Sequence, residues 1–221
     1  MTTKVKICGL KTEPALDAAL AGGADFVGFV FFDPSKRSLP PAIARGLAAR
    51  ARGHARSVAM LVDPDDALLH RIISTVEPDL IQLHGKESPE RVAAIARQFD
   101  RPIVKALSIK IADDAQAAYA YQDVTEFVLF DAKAPPASLI PGGNGLTFDW
   151  HLLDAVRGKL DYMLSGGLTA DNVAEAIRTT EPFAVDVSSG VETAPGQKSP
   201  DLIRRFLAAA KPAHAAAPIS S

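Results

Sequence analysis

The chain opens with Lys4-Val-Lys-Ile-Cys8, a short run of apolar and β-branched residues, and a similar run follows at Phe26-Val-Gly-Phe-Val30. Between the two lies Pro14-Ala-Leu-Asp-Ala-Ala-Leu-Ala21, which has the composition of a helix. A strand, a helix and a second strand in this order predict a right-handed βαβ unit, and therefore a parallel sheet.

The same alternation continues to the end of the chain. The predicted strands are Lys4–Cys8, Phe26–Val30, Ser57–Leu61, Leu80–Leu83, Ile103–Ala106, Phe127–Phe130, Tyr162–Leu164 and Ala184–Val187. The predicted helices are Pro14–Ala21, Pro41–Ala51, Asp66–Val76, Pro89–Phe99, Ala112–Tyr121, Trp150–Arg157, Ala170–Arg178 and Pro200–Ala209. Eight such units in 221 residues leave about 27 residues each, near the short end of the range for barrels. The pattern therefore predicts an α/β fold, a single (β/α)8 TIM barrel.

A doubly wound open sheet is the alternative architecture. That fold usually has a glycine-rich turn after its first strand, whereas here the first strand runs into Cys8-Gly-Leu-Lys-Thr12. The barrel is therefore favoured. No domain boundary is evident, so we expect one catalytic domain over residues 1–209. Residues 210–221, which lack periodicity, are expected to form a flexible C-terminal tail.

Composition excludes several classes of protein. The net charge of −2 and the pI near 6.2 argue against a nucleic-acid or anionic-membrane partner. A single cysteine rules out an intrachain disulfide and suits a reducing compartment. No signal-peptide core or membrane-length apolar run is present, so we expect a soluble cytoplasmic protein. The five histidines have no Cys or carboxylate at ligand spacing, and no metal is expected. Whether the protein is a monomer or a homodimer stays open.

Polar residues recur on one side of three predicted strands, near their carboxyl ends. Side chains of a barrel strand alternate between the interior and the helix layer. Buried polar groups cost free energy unless they are paired, so a barrel built for packing alone would use apolar residues there. These positions predict a site at the C-terminal mouth, and they are Lys6, Cys8, Gln82, His84, Asp186 and Ser188.

Two of the predicted mouth residues could perform acid–base chemistry. Asp131 directly follows a strand, and the Gly/Pro-rich segment after it makes a capping role less favoured than a catalytic one. A substrate-binding loop or lid is expected there. Cys8 could be an inert buried thiol, but Lys6 lies on the same side of its strand, and a nearby cation favours the thiolate. Together the thiol and the carboxyl could form a general base and a general acid.

Anion binding is suggested by two glycine-bearing loops and an arginine. Gly166 and Gly167 follow the seventh predicted strand, and Ser188-Ser189-Gly190 follows the eighth. Loops at these places in a barrel commonly cradle phosphate with backbone N–H groups. Arg37, on the loop after the second strand, could be a surface charge or a bidentate clamp for a carboxylate or phosphate.

These segments resemble the phosphoribosylanthranilate isomerase family of tryptophan biosynthesis. The resemblance covers nearly the whole chain to about residue 209, and its motifs come in family order. They are Val5–Leu10, Gly28–Phe32 with Ser35–Ser38, Asp79–Gly85, Asp131 with Pro141–Gly145, Leu164–Leu168 and Asp186–Glu192.

The resemblance implies a cofactor-free Amadori rearrangement of N-(5-phosphoribosyl)anthranilate to 1-(2-carboxyphenylamino)-1-deoxyribulose 5-phosphate. It implies that Asp131 is the general acid at the ribose ring oxygen, that Cys8 is the base at C2′, and that Arg37 clamps the anthranilate carboxylate. The implied phosphate cradle comprises Gly166, Gly167, Ser188, Ser189 and Gly190. The implied pocket residues are Gln82, His84 and Asp186.

Other functions remain open at this point. One alternative is a two-substrate isomerase that also serves histidine biosynthesis. Such enzymes look like barrels with two catalytic aspartates and a half-length sequence repeat, and neither feature is evident in this chain. A pentose-phosphate epimerase would need an array of metal-binding His and Asp. A non-catalytic phospholigand-binding barrel would keep the glycine loops but would need neither Cys8 nor Asp131.

Overall fold

Eight parallel strands close into a barrel. A computed structural model describes residues 3–132, 142–143 and 145–211. The strands pair in sequence order, and the eighth pairs with the first through Lys4 opposite Ala184 and Lys6 opposite Asp186. This closure confirms the predicted (β/α)8 barrel and excludes the open sheet. The strands are β1 Lys4–Cys8, β2 Phe26–Val30, β3 Arg56–Leu61, β4 Leu80–Leu83, β5 Ile103–Ile109, β6 Phe127–Ala132, β7 Tyr162–Leu164 and β8 Ala184–Val187.

Helices follow most of the strands and surround the barrel. In the described residues they are α1 Glu13–Ala21, α2 Pro41–Ala51, α3 Asp66–Val76, α4 Pro89–Phe99, α5 Ala112–Gln116, α6 Val173–Thr180 and α7 Pro200–Ala210. Side-chain caps fix several of their starts. Ser88 accepts a hydrogen bond from the amide of Arg91 ahead of α4, and Ser199 accepts one from Leu202 ahead of α7. Each cap satisfies an amide that the first helical turn would otherwise leave unpaired.

Two of the predicted helices are replaced, wholly or in part, by 3₁₀ structure, and a third, predicted over Ala170–Arg178, begins only at Val173. The predicted helix Trp150–Arg157 is wrong, because the chain forms a 3₁₀ helix at Trp150–Leu153 followed by turns. Leu153 and Val156 are both buried and lie three residues apart, the spacing that aligns side chains on one face of a 3₁₀ helix. The predicted helix Ala112–Tyr121 is shorter than expected, and α5 gives way to a 3₁₀ helix at Ala117–Ala120.

The barrel interior is apolar near the amino ends of the strands, here called its lower end, and polar near their carboxyl ends, its upper end. The lower layers consist of Phe26, Val58, Leu80, Val104, Ala106, Phe127, Leu129, Met163 and Ala184. Above them, the inward positions of β1, β4 and β8 hold Lys6, Gln82 and Asp186, all of them buried. The opposite positions, such as Val5 and Ile7, belong to the larger apolar core between strands and helices. The alternation therefore places the polar side chains at the carboxyl ends of the strands.

A short hairpin follows β8 that the sequence pattern did not predict. It comprises β9 Glu192–Ala194 and β10 Gln197–Lys198, which pair antiparallel after a 3₁₀ helix at Ser189–Val191. The helix α7 ends at Ala210, one residue beyond the expected domain limit, and the rest of the expected tail from residue 212 lies outside the described residues. The expected lid, the Gly/Pro-rich segment over residues 133–145, lies outside the described residues at 133–141 and 144. Among the described helices, none has the length and apolarity that a bilayer crossing requires.

Candidate active site

A cavity of roughly 700 Å³, counting its open mouth, lies at the carboxyl ends of the strands. This is the face at which (β/α)8 enzymes carry their active sites. The cavity brings together ten of the twelve residues that the sequence singled out, which come from loops and strands spread along the whole chain. They are Cys8, Arg37, Gln82, His84, Asp131, Gly166, Gly167, Asp186, Ser188 and Ser189. Lys6 and Gly190 do not line it.

Cys8 ends β1 and is 5% exposed. Its thiol and the ammonium of Lys6 both lie against Gly28 of the neighbouring strand. A Cβ atom at Gly28 would come within 2.9 Å of the Cys8 Sγ and 3.2 Å of the Lys6 Nζ. A glycine is therefore required at this place in β2, because any side chain would displace the thiol or the cation beside it.

Lys6 is fully buried, and Asp186 of β8 compensates its charge. The Lys6 Nζ lies 2.8 Å from Asp186 Oδ1, while the Ser165 hydroxyl donates to Asp186 Oδ2 at 3.1 Å. Burial alone would lower the pKa of Lys6, but the charges of Asp186 and Cys8 outweigh it and raise that pKa above its usual value. The residue at position 6 therefore carries a fixed positive charge beneath the thiol.

Asp131 lies inside β6 and is 4% exposed. One carboxylate oxygen accepts a hydrogen bond from the amide of Ala132 at 2.9 Å, and the other lies 3.4 Å from His84 Nε2. The His84 Nδ1 is 3.3 Å from Gln82 Nε2. Gly142 packs onto this group so closely that a Cβ atom there would lie 2.4 Å from Asp131 Oδ2.

Two buried polar atoms of this group make no hydrogen bond within the part of the chain that the structure describes. They are Gln82 Oε1 and His84 Nε2, and both residues line the cavity. A buried polar atom without a partner is costly, so each is suited to a ligand that supplies the missing hydrogen bond.

The two glycine loops form one side of the cavity. Gly166 and Gly167 have φ values of +92° and +62°, which a glycine adopts without strain. Within the described residues, no hydrogen bond uses their amides. Gly190 does not line the cavity: a Cβ atom there would lie 1.9 Å from the Leu168 carbonyl oxygen, so this glycine permits the two loops to touch.

Arg37 reaches the cavity from the loop after β2, and its guanidinium is already paired. Arg37 Nε and Nη2 each lie 2.8 Å from a carboxylate oxygen of Glu192, on the hairpin after β8. Lys198 of the same hairpin contacts Glu192 at 2.7 Å. Sequence reasoning missed Glu192 and Lys198 as site residues. The sequence signal that could have found them is that both follow the loop Ser188-Ser189-Gly190 closely in the chain.

The described residues contain no group of three or more His, Cys, Asp or Glu side chains placed to hold a metal ion. A thiol, a carboxyl and several buried charges instead surround one cavity at the C-terminal face. The fold and the site together define a (β/α)8-barrel enzyme.

Comparisons with known proteins identify its family. A family model described as N-(5′-phosphoribosyl)anthranilate (PRA) isomerase matches residues 5–209. The N-(5′-phosphoribosyl)anthranilate isomerase of Rhodopseudomonas palustris (strain BisA53) is 54% identical over 96% of this chain and 97% of its own length. The chain belongs to the N-(5′-phosphoribosyl)anthranilate isomerase family and is an isomerase.

Solved structures agree with this assignment. The phosphoribosyl anthranilate isomerase of Thermotoga maritima superposes with a TM-score of 0.85 at 35% identity, covering 95% of this chain and 98% of that one. A phosphoribosyl anthranilate isomerase in complex with reduced 1-(o-carboxyphenylamino)-1-deoxyribulose 5-phosphate superposes with a TM-score of 0.82 at 33% identity, with the same coverage.

Proposed function

We propose that this protein converts N-(5-phosphoribosyl)anthranilate to 1-(2-carboxyphenylamino)-1-deoxyribulose 5-phosphate in tryptophan biosynthesis, by general acid and base catalysis without a cofactor. One observation carries the proposal. Cys8 and Asp131, on strands separated in the barrel by β7 and β8, line the same cavity as Arg37 and the glycine loops. The proposed catalytic domain comprises residues 1–209, which the family match over residues 5–209 supports.

Asp131 is the proposed acid of the first step, ring opening. The bond between C1′ and the ring oxygen breaks, its electron pair goes to the oxygen, and the carboxyl of Asp131 supplies the proton. The lone pair of the anthranilate nitrogen simultaneously forms a double bond to C1′. Such a positioned acid is worth about 10²–10⁴-fold in rate. Burial of Asp131 supports this role because it keeps bulk water away from the proton transfer.

Cys8 is the proposed base of the second step. Its thiolate removes the proton from C2′, the C–H electron pair forms a C1′–C2′ double bond, and the electrons of the C1′–N double bond return to nitrogen. The resulting enol then takes a proton at C1′ and loses the proton of its C2′ hydroxyl, which becomes the ketone oxygen. The substrate gains two protons and loses two, so the overall reaction is an isomerisation. The ammonium of Lys6 lies against Gly28 beside the Cys8 sulfur, so a positive charge adjoins the group that acts as the base.

The remaining cavity residues are the proposed substrate contacts. Arg37 binds the anthranilate carboxylate, and Gly166, Gly167, Ser188, Ser189 and Gly190 form the phosphate cradle, the last by holding its two loops together. Gln82 Oε1 and His84 Nε2, which make no hydrogen bond within the described residues, contact the sugar hydroxyls of the substrate. Asp186 acts from below by anchoring Lys6.

The proposal is tested by mixing the purified, metal-stripped protein with freshly made phosphoribosylanthranilate and following the loss of substrate fluorescence. We expect turnover that persists after chelation. A lack of turnover with fresh substrate would favour one of the other phosphosugar barrels or a binding protein.

Two variants test the assigned roles. Cys8→Ala and Asp131→Asn should keep the wild-type circular dichroism spectrum and lose about 10²–10⁴-fold in turnover. Asp201→Asn is the matched control, because its side chain is 87% exposed at the start of α7. Undiminished turnover in both site variants would rule out the catalytic roles assigned to Cys8 and Asp131.

A further inference from the structure

Two charged residues on the hairpin after β8 turn inward to the cavity wall and away from solvent. Glu192 and Lys198 pair across β9 and β10, and their side chains are only 4% and 2% exposed. Thr193 and Gln197, which alternate with them, are exposed. Burying two charges costs several kcal/mol per ion, and their mutual attraction repays this only if further hydrogen bonds satisfy the remaining donors and acceptors. A third residue supplies such bonds to Glu192.

The residue that binds Glu192 from the cavity side is Arg37. Glu192 takes up one whole edge of the guanidinium, with both N–O distances at 2.8 Å, and the Arg37 Nη2 also donates to the carbonyl of Gly143 at 3.1 Å. The stem of Arg37 lies against Gly9, where a Cβ atom would come within 2.9 Å of Arg37 Cδ. The planar group is therefore held in one orientation. In the described residues, Nη1 is the nitrogen that no protein acceptor engages.

With Lys198 protonated, the cluster of Arg37, Glu192 and Lys198 carries a net charge of plus one. Burial lowers the pKa of Lys198 from its usual value, and the charge and the hydrogen bond of Glu192 oppose that shift. Burial would raise the pKa of Glu192, but Arg37 and Lys198 outweigh it and hold that pKa below its usual value, so the carboxylate stays ionised at neutral pH. Without the lysine, Arg37 and Glu192 would be a neutral pair with little net attraction for an anion. Lys198 also donates to the carbonyl and the hydroxyl of Ser188, at 2.9 and 3.1 Å.

We propose that Glu192 and Lys198 are positioning residues for substrate recognition: Glu192 fixes the orientation of Arg37, and Lys198 restores the positive charge that Glu192 would otherwise cancel. The inference rests on the proposed function, in which Arg37 binds a carboxylate of the substrate. It makes carboxylate affinity depend on a lysine that need not touch the carboxylate itself.

The test is a calorimetric binding measurement with two non-reacting ligands. The first is reduced 1-(o-carboxyphenylamino)-1-deoxyribulose 5-phosphate, and the second is the same compound without its carboxyl group. Binding is measured in place of turnover, because Lys198 also lies close enough to Cys8 to interact with its charge. If wild-type protein binds neither ligand, the proposed substrate class is wrong. If it binds the first more tightly, the variants below address the positioning residues alone.

Lys198→Met should weaken binding of the carboxylated ligand by about 10- to 100-fold, because the contact between Arg37 and the carboxylate loses the net positive charge that assists it. The other ligand should bind as it does to wild type. Lys198→Arg should retain the discrimination. Lys36→Met is the matched control: it removes the same charge from the exposed residue next to Arg37 without touching the cluster. It should leave both affinities close to wild type.

The double variant Lys198→Met/Glu192→Gln distinguishes an effect of the lost charge from a structural effect of replacing Lys198. Removing both charges leaves Arg37 unneutralised, so the double variant should bind the carboxylated ligand more tightly than Lys198→Met alone. Circular dichroism and thermal unfolding confirm that each variant is folded. Equal losses for the two ligands in Lys198→Met, or a double variant that binds no better than that single variant, would overturn the inference.

Discussion

Replacing Lys6 by methionine provides a quantitative test of the buried charges. The substitution keeps the length of the side chain but leaves the carboxylate of Asp186 without its cation, with the Ser165 hydroxyl as a remaining contact. The Lys6 side chain is fully buried and that of Asp186 is 7% exposed, so water can do little to screen the remaining charge. Breaking a buried pair in this way costs about 3–5 kcal/mol.

This cost corresponds to a fall in Tm of roughly 6–11 °C, since the unfolding entropy of a domain this size is about 0.46 kcal/mol per kelvin. Differential scanning calorimetry at pH 7 measures it. Arg50→Met is the control. Arg50 and Asp17 lie even closer together, at 2.6 Å, but both side chains are about half exposed, and the loss of this pair should hardly change Tm.

A second variant tells charge from packing. Lys6→Met/Asp186→Asn removes the uncompensated carboxylate without changing its shape, so this double variant should regain a large part of the lost stability. Two results would refute the reasoning. One is a Lys6→Met protein that unfolds within about 2 °C of wild type, and the other is a double variant no more stable than the single one.

Further predictions concern glycines and pH. Gly190→Ala should lower the free energy of unfolding in urea by about 1–3 kcal/mol, because the new Cβ atom would lie 1.9 Å from the Leu168 carbonyl oxygen. Gly46→Ala, in the exposed part of α2 with nothing within 4 Å, should raise it by about 0.5–1 kcal/mol. Equal effects at the two positions would contradict this steric argument. The pKa of Glu192 is held low in the folded protein despite its burial, so its ionisation stabilises the fold above the usual pKa and this contribution disappears as pH falls through the folded value. The difference in unfolding free energy between wild type and Glu192→Gln should therefore stay constant above about pH 5 and shrink as pH falls below about 4.3, the usual pKa of glutamate. A difference that stays constant on acidification would rule this contribution out.

Much of the barrel could be predicted from the sequence because its signals are local. The bounds of β1, β2, β4, β7 and β8 agree with the prediction, since each is a short apolar run between turn residues. The inward position of Lys6, Gln82 and Asp186 follows from the strict alternation of side chains along a strand. The helix prediction failed at Trp150–Arg157, where spacing by three and spacing by four are hard to distinguish in a short segment.

The sequence by itself determined the strands, their polar faces and the family of the protein, because these depend on neighbours along the chain and on motifs that survive in order. Only the tertiary structure decided that Gly28 makes room for Cys8 and Lys6, that Gly190 joins two loops, and that Glu192 occupies Arg37. The last contact joins residues 155 positions apart, through a hairpin whose strands have three and two residues. No local pattern encodes such a pairing, because it exists only once the barrel closes and brings the loops after β2 and β8 to the same rim.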